Sequence, residues 1–85
     1  MKRRLVVEDA CAVRGGAVSL DPKFVPEDPP RGNFEIELRL PSGETTTHTA
    51  TLDFAHSRGT LSPFALVRVF GITPDAVPVG TEVWF

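Results

Sequence analysis

The chain has 85 residues, a formal net charge of −2 and a pI near 5.6. That length bounds the protein to one domain, which buries about 60–65% of the surface its unfolded chain would expose and has a stability of roughly 4–12 kcal/mol. It excludes a spacious internal active site, and the acidic balance with no basic stripe excludes a duplex DNA binder.

The one cysteine, Cys11, has no mate for an internal disulfide, which points to a reducing cytoplasm. Lys2, Arg3, Arg4 and the apolar Leu5, Val6 and Val7 resemble the start of a signal peptide, but Glu8 and Asp9 end the apolar run too soon. Asp9-Ala10-Cys11 lacks the small-residue context of a lipoprotein cleavage site. No stretch is long enough for a membrane span, so no membrane partner is expected.

Eight prolines and seven glycines punctuate the chain and leave little room for helix. The β-branched and aromatic residues favour strands. In chain order, residues 4–8 read as a first strand, with the basic cluster Lys2-Arg3-Arg4 as its solubilising start. Residues 10–14 and 16–20 read as an extended stretch broken at Gly15-Gly16, a bulge or tight bend. Residues 21–33 hold Pro22, Pro26, Pro29 and Pro30 and read as a long surface loop, functional or mobile.

Residues 33–40 alternate, with Phe34, Ile36, Leu38 and Leu40 on one face and Glu35, Glu37 and Arg39 on the other. Pro41-Ser42-Gly43-Glu44 is a turn. Residues 45–54 return as the hairpin partner: Thr47, Thr49, Thr51 and Asp53 share the outer face with Glu35, Glu37 and Arg39, and His48, Ala50, Leu52 and Phe54 take the other. Residues 56–63 are a loop, 66–72 a strand, 73–78 a loop and 81–85 the last strand. A terminal strand carrying Trp84 and Phe85 must dock on an earlier one, so the fold expected is all-β: a small closed or nearly closed antiparallel barrel of about six or seven strands.

Two segments carry a family resemblance. One runs from Leu5 through Glu8-Asp9, the apolar 10–13 and Gly15-Gly16 to Ala17-Val18. The other is Val67-Arg68-Val69-Phe70-Gly71-Ile72 with Val77-Pro78-Val79-Gly80-Thr81-Glu82-Val83. Together they resemble the second, β-barrel domain of translation GTPases such as elongation factor Tu, over nearly the whole chain from Leu5 to Phe85. The resemblance implies a barrel whose last strand packs near its first. The chain departs from the family where Leu20-Asp21-Pro22 replaces a Gly-x-Val hairpin. In Thr51-Leu52-Asp53-Phe54, Leu52 stands at the acidic position that helps seat an aminoacyl-tRNA end, and Ala55 at a basic one. That RNA pocket is therefore not carried over, and no Walker-type loop marks a GTPase.

No catalytic set stands out, and no cofactor or metal is expected. His48 reads as a rim histidine bonded to a neighbour, and His56-Ser57 as loop residues that point apart rather than a base and nucleophile. Glu8 and Asp9 diverge along a strand and suit turn or hydrogen-bond roles. Cys11, between Ala10 and Ala12, reads as a buried, inert small hydrophobe.

With Val67, Val69, Val83 and Phe85 facing inward, Arg68, Phe70, Glu82 and Trp84 face out together. Charge-flanked aromatics suit a protein interface. The competing reading is that loop 21–33 folds over them. The function expected is non-catalytic binding of a protein, with RNA-end binding or a small regulator of the immunity or antitoxin kind as alternatives. Oligomeric state is open.

Overall fold

The computed structural model describes residues 1–55 and 64–85. Its strands are β1 (Arg3–Val6), β2 (Asp9–Val13), β3 (Ala17–Phe24), β4 (Phe34–Arg39), β5 (Thr45–Ala55), β6 (Phe64–Phe70) and β7 (Glu82–Trp84), with a 3-10 turn at Pro74–Ala76. They form one seven-stranded sheet in the order β1-β7-β4-β5-β6-β3-β2, every neighbour antiparallel. The sheet curls into a nearly closed barrel.

Closure comes from the first thirteen residues acting as one bent strand. Its first half pairs with β7 and its second with β3. The switch occurs between two adjacent residues. Val7 donates its N–H to the Thr81 carbonyl at 2.8 Å and accepts from the Gly80 N–H at 2.9 Å, and the Glu8 N–H then goes to the Asp21 carbonyl at 2.9 Å. Gly80 has a φ of +94°, which calls for glycine, and a Cβ there would lie 3.3 Å from Cγ of Pro41, close enough that Pro41 would have to give by a few tenths of an ångström.

The two glycines after β2 are the tight bend of the two alternatives, closing a β2–β3 hairpin, and not a bulge. Gly15 and Gly16 both have positive φ, and Val13 faces Ala17 across the turn. The loop expected from residue 21 begins later, because β3 continues to Phe24, which pairs with Ala65. Pro22 has no N–H to give the ladder, and the register shifts between Leu20 and Phe24. Proline there breaks the pairing without ending the strand.

The alternation of β4, and of β5 as far as Leu52, holds as read. Ile36, Leu38, Ala50 and Leu52 are buried, while Glu35 and Glu37 pair with Thr49 and Thr47 on the outside. β6 alternates as well, burying Ala65, Val67 and Val69. These residues join Leu5, Val7, Val18, Leu20, Val77 and Val83 in one core. Thr81, also fully buried, donates its hydroxyl to the Pro78 carbonyl at 2.7 Å. Phe85 packs at the core margin, its ring 4.9 Å from that of Phe34.

Ile36→Ala removes a fully buried branched side chain and is expected to cost about 2–5 kcal/mol. Thr49→Ala, on the outer face of the neighbouring strand, is expected to stay within about 0.5 kcal/mol. Urea midpoints at unchanged slope for the two variants check the inside–outside assignment.

Candidate functional site

β7 is short and lies between β1 and β4, so its outward side chains meet residues from both neighbours. Trp84 is opposite Arg3 on one side and Glu37 on the other. The Arg39 guanidinium lies over its ring, 3.8 Å from the centroid, and Arg39 Nε donates to Glu37. The indole Nε1–H donates to Glu82 Oε1 at 2.9 Å, and the other oxygen of Glu82 is 3.5 Å from Arg3. Trp84 is thus half-buried at the centre of a ring of two arginines and two glutamates drawn from three strands.

Arg68 and Phe70 face outward on β6, as the alternation indicates, but they are not beside Trp84. β6 and β7 are not a hairpin: β4 and β5 lie between them. Three inter-strand steps separate the two sets by about 14 Å along the sheet. Arg68 instead pairs with Asp53 at 3.0 Å and sits 5.7 Å from the Phe70 centroid. The four residues therefore divide into two clusters, Trp84 with Glu82 and Phe70 with Arg68. The side chain lying over Trp84 comes from β4, whereas the proline-rich loop turns towards β5, where the Thr51 hydroxyl donates to the Gly32 carbonyl at 3.0 Å.

Between that loop and β5 runs a surface groove of about 610 Å³, lined by Asp28 to Gly32, Thr51, Leu52 and Phe54. Alternation puts Phe54 on the inner face. It is 47% exposed, at the far end of β5. No periodicity signals this: its register partner Ala65 is buried in the core, while Phe54 lines the groove.

Cys11 is exposed rather than buried: β2 forms one margin of the sheet, and its Cys11 side is the outer one. Its Sγ–H lies 3.6 Å from Asp9 Oδ2. The charge of Asp9 and its hydrogen bond to the thiol hold the Cys11 pKa above its ordinary value, with small further contributions from desolvation and Asp21, so the thiol is unactivated. Asp9 also accepts from the Ala10 N–H at 2.9 Å, which makes it a local cap. His48 is half-buried with Nε2 2.9 Å from the Thr46 hydroxyl. His56 and Ser57 lie outside the described residues.

Among the described residues no three His, Cys, Asp or Glu side chains cluster as metal ligands would, and no helix is long and apolar enough to cross a membrane. No protein-family model, curated protein or solved structure matches the chain.

Asp9→Asn removes the main cause of the raised thiol pKa and keeps the bond to Ala10. The thiolate fraction then increases, and alkylation of Cys11 by iodoacetamide at about pH 8 is expected to accelerate. An unchanged rate would show that Asp9 does not govern the thiol.

Proposed function

We propose that this protein is a non-catalytic binding module that engages a protein partner through the surface centred on Trp84. The observation that carries the reading is the stack of Arg39 on Trp84 within its ring of charge. Tryptophan and arginine are the residues most enriched where interfaces concentrate their energy. Here both are ordered before any partner arrives, which lowers the entropy cost of docking. Arg39 uses its Nε on Glu37, and its terminal amino groups are directed to an incoming carboxylate or carbonyl in this reading. Phe70 with Arg68 forms a second, lateral contact.

The resemblance to the translation-factor barrel belongs to this proposal as a likeness of architecture and of two segments. A protein is preferred to an RNA end because Leu52, at the position where the family seats that end with an acidic residue, is buried. The compartment in this reading is the cytoplasm, supported by a single thiol with no disulfide mate.

The test compares affinity capture by the wild type and by Trp84→Ala, with and without ribonuclease. A protein recovered by the wild type, insensitive to ribonuclease and reduced about tenfold or more by the substitution, is the expected result. Losing the stack and the indole bond is expected to cost about 1–2 kcal/mol of stability, leaving the variant folded by circular dichroism. Recovery that vanishes with ribonuclease would move the reading to RNA. An unfolded variant would make Trp84 structural.

A further inference from the structure

The curled sheet leaves two strand margins, and they are not alike. β1 is guarded: Lys2, Arg3 and Arg4 line it and its register shifts between Arg3 and Leu5. Charge and irregularity of this kind discourage strand addition. β2 has neither. Its register with β3 is unbroken from Asp9 to Val13, and no proline, lysine or arginine interrupts Ala10-Cys11-Ala12-Val13. Cys11, Ala12 and Val13 are exposed. The 3-10 turn at Pro74–Ala76 comes near β2 but makes no backbone hydrogen bond to it.

We propose that this margin is a self-association surface, at which β2 of a second copy adds antiparallel to β2 of the first. The argument is one of register. A two-fold axis normal to a sheet keeps each residue on its own face, so the axis must pass through a residue pair and not between pairs. Centred on Cys11, the pairing sets Cys11 opposite its copy, Ala10 opposite Ala12, Asp9 opposite Val13 and Glu8 opposite Arg14. The strand core then meets in small side chains, and the residues that flank it, Glu8 at the bend before β2 and Arg14 in the turn after it, bring opposite charges together at both ends. Centring on Ala10 sets Glu8 against Ala12, and centring on Ala12 sets Arg14 against Ala10, so neither pairs the charges. Both Glu8 and Arg14 are exposed, and neither has an ion-pair partner among the described residues. The occupant is thus selected by charge complementarity of the strand with itself. This surface is separate from that of Trp84 and does not rest on the binding role given to it.

Sedimentation equilibrium over about 1–500 µM tests it, with the small contact expected to give a weak, micromolar dimer. Arg14→Glu places like charges opposite each other at both ends and is expected to weaken association about tenfold or more. Adding Glu8→Arg to it restores the opposition with signs exchanged, and association is expected to return to within about threefold of wild type. A bis-maleimide is expected to link wild-type copies through Cys11 and to fail with Arg14→Glu. Trp84→Ala is expected to leave all of this unchanged. A monomer throughout the range, or a dimer that ignores Arg14→Glu or is not rescued by the exchange, overturns the proposal. Circular dichroism of each variant keeps loss of fold apart from loss of pairing.

Discussion

The change of partner at Val7 and Glu8 is the constraint on which the rest of this barrel depends. A flat sheet of seven strands would expose one apolar face. Here a single stretch commits its hydrogen bonds first to β7 and then, one residue on, to β3. The two ends of the sheet are thereby held by one piece of backbone, and curvature follows. Val7 itself is buried at the crossing, bonded to Thr81 and in the same core as Val83. The inward residues of every other strand then meet across the barrel, and a small chain obtains one continuous core.

The same closure determines what the outside offers. β7 is only three residues long and is paired on both sides, so its outward tryptophan has neighbours from β1 and β4 at cross-strand distance. The ion pairs around it are exposed and contribute little stability individually, about 0–1 kcal/mol. Their effect is orientation: Glu82 holds the indole edge and Glu37 holds the arginine that stacks on the face. Under the proposed binding role, this is the order that a partner would meet on docking.

Much of the barrel was legible in the order of residues, and the reason is local. The period-two patterns of β4, β5 and β6 need no knowledge of partners, and Gly43 and the Gly15-Gly16 pair mark turns within single hairpins. Facing was legible too: Val83 is in and Trp84 out. What was not legible was adjacency between distant strands. Nothing near Phe70 or Trp84 says that β4 and β5 intervene, or that Arg39 is the residue that meets the indole. Cys11 misled because an Ala-Cys-Ala-Val run has the composition of a core strand, whereas exposure depends on β2 lying at the margin. Pro22 misled in the other sense, as a loop marker inside a strand that continues past a shift in register.

Trp84 is the one tryptophan of the chain, and it occupies the junction of three strands under a guanidinium. Its emission is therefore an internal gauge of the seam. A signal from most proteins averages several indoles, but here it comes from one ring whose surroundings exist only while β7 sits between β1 and β4. Seating and unseating of that last strand can be followed optically, without a label, apart from events at the other end of the sheet.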